Sequence, residues 1–266
     1  MSQTTPTTLP PNALPDLELG KRFIAASPVP GVAIQCGITG SHDYGFSSPD
    51  SDLDLKGIFL VPTRRLLGLH RPPETFDRLV PYDGVECDLT LTEAGKALQL
   101  LVAGNGNLIE RLLSTFQLYP GPELDALQAL ARGAVSKKFS RHYQGFFRGM
   151  CKEHERSEKP RAKSLLYAYR VALTGIHLLR TGELIADLRI LAPKLGYPDA
   201  LALVQIKVEG AEKGAVTPEI DAQHRAAWPA LEADLQQALD QSPLPESAAN
   251  EAECEDWLVA LRTARL

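Results

Sequence analysis

The chain has 266 residues, 44% apolar, 23% charged and 6% aromatic, the balance of a globular protein that can bury a core without disulfide or metal staples. Its 28 basic and 33 acidic residues give a formal charge of −5, which excludes binding to polyanions through global charge and leaves only a local basic patch for that purpose. The four cysteines (Cys36, Cys87, Cys151, Cys254) form no close pair, no run of about 18 apolar residues occurs, and no signal-peptide pattern opens the chain. These features predict a soluble cytoplasmic protein with reduced thiols, no membrane partner and no zinc.

Residues 1–15 carry Pro6, Pro10, Pro11 and Pro15 among Ser and Thr, which predicts a disordered or loosely draped leader. Asp16 can cap a short amphipathic helix over 16–26, and VPGVAIQCGI (29–38) reads as a buried strand. A glycine-rich turn, Gly37 to Gly45, leads to SDLDLKGIFLVP (51–62), where Asp52 and Asp54 share one strand face and Leu53 and Leu55 the other. GVECDLTL (84–91) alternates in the same way. From Thr92, with Glu93 next, the apolar spacing turns helical, and Thr92 is read as the helix start. Pro120, Gly121 and Pro122 mark a boundary, giving an α/β unit over 16–118 and an all-helical unit over 119–266. A second break at 242–251 precedes a last helix, 252–265. The expected fold is α/β (α+β): a short mixed sheet with flanking helices, then a helical domain that closes a cleft.

The chemistry concentrates in GITGSHDYGFSSPDSDLDLKG. Gly40 permits a tight turn whose backbone N–H groups can cradle phosphate oxygens, and Ser41 adds a hydroxyl donor. About ten residues later Asp52 and Asp54 stand roughly 7 Å apart along one strand, close enough to bind metal ions jointly. Hard carboxylate oxygens select Mg²⁺ or Mn²⁺, and two such ions about 4 Å apart can stabilise both the attacking and leaving oxygens of a phosphoryl displacement. A third carboxylate is wanted. Asp88 can supply it if its strand lies beside that of Asp52, with Glu86, two residues back, in reserve.

Strand, Gly-Ser, a spacer of about ten, Asp-x-Asp and then an Asp flanked by apolar residues resembles the DNA polymerase β nucleotidyltransferase superfamily. LLGLHRPPETF (66–76), GNGNLIERLLS (104–114) and KSLLYAYRVALTGIHLLRTGEL (163–184) narrow the resemblance to the RlaP-type nucleotidyltransferases, a family linked to RNA-repair gene clusters. The likeness runs over roughly residues 30 to 190. It implies transfer of a nucleoside monophosphate from an NTP to an acceptor hydroxyl. Gly40 and Ser41 would then hold the triphosphate, Asp52 and Asp54 would bind both metals, and Asp88 would complete the metal site and help deprotonate the acceptor. Members of this group often place Arg after the Gly-Ser pair; here His42 stands in that phosphate-facing position, and a neutral imidazole balances phosphate charge poorly. The family context favours an RNA end, such as a damaged or tRNA 3′ terminus, as acceptor. The same core also serves enzymes that adenylylate small molecules or protein side chains, and non-catalytic antitoxin-like modules.

Nine of the 28 basic residues lie between Lys137 and Lys163, interleaved with Phe139, Tyr143, Phe146 and Phe147. The cations suit the phosphates of an RNA acceptor, whereas the aromatic spacing is that of a helix docking on a core. Lys163, Tyr167 and Arg170 share one helical face, and the resemblance makes them candidates for the β- and γ-phosphates. Arg148 with His154, and Arg170 with His177, have the spacing of helical HEPN-type ribonucleases, a pattern that Arg-rich helices also produce by chance. Asn105 and Asn107 flank Gly106 in a turn.

Overall fold

The structure is a computed structural model that describes residues 9–209 and 214–265. Its elements in chain order are α1 (Leu17–Ala25), β1 (Val32–Ile38), β2 (Leu53–Leu60), α2 (Thr63–Leu66), β3 (Thr75–Tyr82), β4 (Val85–Glu93), α3 (Ala94–Val102), α4 (Gly106–Leu113), β5 (Phe116–Gln117), α5 (Pro122–Gly133), α6 (Phe139–Arg156) and α7 (Ala162–Thr181). These are followed by α8 (Leu188–Lys194), α9 (Ala200–Glu209), α10 (Pro218–Arg225), α11 (Trp228–Asp240) and α12 (Glu251–Thr263). The strands form one mixed sheet in the order β3-β4-β2-β1-β5. β2 and β4 are parallel, and the other pairs are antiparallel.

Local chemistry sets the boundaries. Asp16 accepts from Leu19 N at 2.9 Å and starts α1, whereas Pro28, Pro30 and Gly31 delay β1 to Val32. β4 continues through Thr92, so Thr92 is a strand residue; the cap of α3 is Glu93, whose carboxylate accepts from Gly95 N at 2.7 Å. β3, which the sequence pattern did not predict, runs antiparallel beside β4.

The sheet divides two cores. α1 covers one face, where Phe23 packs with Cys36, Ile38, Leu53, Leu55, Leu89 and Leu91. On the opposite face β2 presents Asp54 and Lys56 and then, two residues on each time, Ile58 and Leu60. Those apolar residues sit under α3 and α4 and join a buried cluster that runs on into α6, α7 and α11. One strand face thus begins as an open acidic surface and ends inside the helical core, which puts the carboxylates at the lip of a cleft. α12 returns to the sheet: Arg262 Nη2 donates to Glu93 Oε1 at 2.9 Å and Oε2 at 3.0 Å, and Thr63 Oγ1 donates to Arg262 O at 2.8 Å.

Candidate active site

The turn after β1 folds onto β2. Thr39 N donates to Asp54 O at 2.9 Å, and Gly40 has φ +66°, in the left-handed region. A Cβ at Gly40 would overlap Asp54 Oδ2, so only glycine lets the backbone lie against that carboxylate. Asp54 is directly opposite Asp88 in the parallel ladder, and paired strands hold such residues about 4.8 Å apart. Asp52 precedes β2 and is exposed, and Asp54 is half-buried. Glu86 comes before Cys87, the first β4 residue paired with β2, so Asp88 rather than Glu86 is the residue facing Asp54.

Electrostatics at the cluster combine burial, like charge and two nearby lysines. Burial raises the Asp54 carboxyl above the usual carboxylate range, Lys56 opposes that rise, and Asp88 adds to it. Lys56 Nζ donates to Asp88 Oδ2 at 2.7 Å and to Thr90 Oγ1 at 3.2 Å. Among the described residues no three acidic, histidine or cysteine side chains are gathered closely enough to hold an ion as they stand.

The turn residues Ser41 and His42 are buried. His42 Nδ1 pairs with Ala13 O at 2.9 Å, and Asn12 Nδ2 donates to His42 O at 2.8 Å. Asn12 Oδ1 also accepts from Ser47 N and Oγ, at 2.9 and 2.7 Å. The part of the leader that is described is therefore pinned across the turn; residues 1–8 lie outside the described residues. His42, expected to face the phosphates, is placed with its ring against the leader carbonyl of Ala13. The cavity it lines is bounded by Asp43, Thr115 and Asp187 and includes none of the three carboxylates.

Lys163, Tyr167 and Arg170 part company. Lys163 is exposed at the start of α7 and is close enough to Asp54 to lower its pKa. Tyr167 stands edge-on to Tyr44 and Phe46, with ring centroids 5.9 and 5.6 Å away; burial and then Asp54 push its phenol up. Arg170 is 1% exposed, with Nη1 2.8 Å from both carboxylate oxygens of Glu110 and its guanidinium 4.0 Å over the Tyr44 ring. The structure thus places Arg170 in a buried ion pair with Glu110, apart from the exposed Lys163, the other charged candidate for the phosphates.

Residues 25–260 match the model of the RNA repair pathway DNA polymerase beta family, RlaP. The chain belongs to this family. A curated relative, "Uncharacterized protein MJ0002" of Methanocaldococcus jannaschii, is 30% identical over 152 residues, 56% of this chain; the match spans 61% of that protein's length. A solved nucleotidyltransferase-like protein from Exiguobacterium sibiricum aligns with 83% of this chain and 74% of its own, at 14% identity and a TM-score of 0.32.

Two lysines of this RlaP chain escaped the motif. Lys56 shares the face of Asp52 and Asp54 by simple alternation, so the signal was in the sequence. Lys207, on α9, donates to Phe46 O at 2.7 Å and to Ser51 Oγ at 3.3 Å, holding the loop that leads to Asp52. Burial, and then Lys163 nearby, push its pKa down to about 8. No local pattern foretells Lys207, because it reaches the site only through the packing of α9 on α7.

In the basic segment Phe139, Tyr143 and Phe147 are buried in the core, and Phe146 alone of the four is half-exposed. Lys137 pairs with Glu246 and Arg148 with Glu232, whereas Arg141, Lys152, Arg156, Lys159, Arg161 and Lys163 are exposed and form no ion pair among the described residues. The HEPN-type spacing does not make a site, since His154 and His177 are buried at 2% and 1% exposure. Asn105 caps α4, its side chain accepting from Leu108 N at 3.3 Å, and no helix among the described residues is long and apolar enough to cross a membrane.

Proposed function

We propose that this protein is a metal-dependent nucleotidyltransferase that moves a nucleoside monophosphate from an NTP to a hydroxyl at an RNA end. The observation that carries the proposal is the sheet register, which sets Asp54 beside Asp88 with Asp52 two residues up the same face and the Gly40 turn against them. The donor set fits a hard divalent cation: Asp52, Asp54 and Asp88 offer carboxylate oxygens alone, and Lys56 on Asp88 is the counter-charge that an ion would displace. Asp52, Asp54 and Asp88 would hold two Mg²⁺ or Mn²⁺ ions, which when bound neutralise phosphate charge and activate the acceptor hydroxyl.

The rest is work for the chain itself. The Gly40–Ser41 turn holds the β- and γ-phosphates through backbone N–H groups, and Lys163 adds a positive charge at the cleft mouth. Asp88 takes the acceptor proton as the acceptor oxygen attacks the α-phosphorus in line, and the bond to the bridging oxygen breaks to release pyrophosphate. The exposed cations of α6 and the start of α7 support RNA as the acceptor.

The test is transfer of label from each α-³²P-labelled NTP, with Mg²⁺ or Mn²⁺, to RNA oligonucleotides and tRNA. The wild type labels RNA, and Asp54→Ala loses roughly 10³-fold or more of the rate while its circular dichroism is unchanged. A variant that transfers normally overturns the site. RNA binding should fall steeply with salt, and label on an aminoglycoside or a protein in place of RNA would replace the acceptor.

A further inference from the structure

A cavity of about 410 Å³ lies between α6 and α7, with Lys163 and Tyr167 in its wall, and the sequence motifs leave it without a role. We infer that it is the nucleobase site of the incoming NTP, an inference that rests on the nucleotidyl-transfer proposal and names where that substrate's base sits.

Position comes first. Lys163 and Tyr167 line this cavity, and Tyr167 packs on Tyr44 and Phe46, in the same turn whose Gly40 lies against Asp54, so the cavity and the carboxylates flank one turn. The walls come next. Phe146, Met150 and Tyr167 offer two aromatic faces and a polarisable thioether, the surfaces on which a base stacks. Both rings are held. Tyr167 is wedged against Tyr44 and Phe46, and the His142 ring lies 5.7 Å from that of Phe146. Phe146 is the half-exposed member of an otherwise buried aromatic stripe, which leaves its ring open to the cavity.

The polar wall is fixed as well. His154 Nδ1 lies 2.6 Å from Ser164 Oγ, and its Nε2 lies 2.6 Å from Asp221 Oδ1, so α6, α7 and α10 are tied together behind the cavity. Arg161 and Lys163 stand exposed on the rim, where they suit the phosphates that follow a base into the cleft. The volume suits one base rather than a strand, and the exposed cations on its rim suit the triphosphate that accompanies the base of an NTP.

Two variants test this: Phe146→Leu, which keeps an apolar side chain and removes a stacking face, and Met150→Trp, which fills the cavity. The readouts are displacement of a fluorescent NTP by unlabelled NTP and by inorganic tripolyphosphate, which has no base, together with KM for NTP and for RNA. The inference predicts NTP binding weakened roughly 10- to 100-fold in both variants with tripolyphosphate unchanged. Unchanged NTP affinity in both variants overturns it, as does equal weakening of NTP and tripolyphosphate. An increase confined to the KM for RNA gives the cavity to the acceptor and also overturns it. Wild-type protein that binds no NTP sinks the transfer proposal itself, and the base site falls with it.

Discussion

Asp43, two residues past Ser41, is a buried carboxyl whose one backbone donor, Thr115 N at 3.1 Å, does not repay its lost hydration. Burial raises its pKa from 3.8 to about 6, and Glu110 adds to the rise. Because the folded value lies above the unfolded one, folding favours the protonated form. Stability from this group is complete below about pH 4 and is lost as pH rises through about 6, a cost of about 3 kcal/mol at neutral pH. Asp43→Asn keeps an acceptor for Thr115 N and cannot ionise. It should raise the melting temperature by several degrees at pH 8 and change it little at about pH 3.5, as followed by thermal denaturation. Glu110 and Arg170 show the opposite solution to the same problem, a buried charge matched by another and by the hydroxyls of Tyr44 and Tyr143.

At the scale of elements, the close approach of α6 to α7 depends on Gly175. A Cβ there would lie 2.6 Å from Tyr143 Cβ and 3.0 Å from Leu235 Cδ1. Alanine is the better helix former by about 1 kcal/mol, but overpacking at such a contact costs about 1–3 kcal/mol. Gly175→Ala should therefore lower the melting temperature by a few degrees. Gly149, on α6, gives the converse: a methyl group there would meet nothing within 4 Å, so Gly149→Ala should raise it. The strands show how far alternation carries and where it stops. β2 and β4 were legible because Leu53, Leu55, Cys87 and Leu89 point into one core while Asp54 and Asp88 point away. β3 was not, because its pattern is inverted at the centre: Leu79 is 62% exposed on the cleft side, whereas Arg78 turns inward with its guanidinium 4.8 Å over the Phe23 ring. Arg78 sits half-exposed on the α1 side because Phe23 and the Ala26 carbonyl receive its charge, and those partners are far away in sequence. The Gly40–Asp54–Asp88 arrangement was readable for the reason β2 was. Burial of Arg170 was not, since its helical face carries Tyr167 at the cleft and Arg170 one turn deeper.

On the scale of the whole molecule, the helical and sheet parts share one buried cluster, and α12 fastens its far end to the sheet through Arg262 and Glu93. The Glu93 carboxylate is only 7% exposed and also caps α3. Arg262→Ala leaves it without its counter-charge and should cost about 2 kcal/mol, read as a lower urea midpoint with an unchanged slope. If the slope fell as well, α12 would be coming away as a separate unit.

That fastening also orders events on the ribosome. Glu93 and Arg262 are 169 positions apart, so at about 5–20 residues per second roughly 10–30 s of synthesis separate the strand end from the guanidinium that completes its surroundings. During that interval the nascent sheet carries an uncompensated acid at the head of α3.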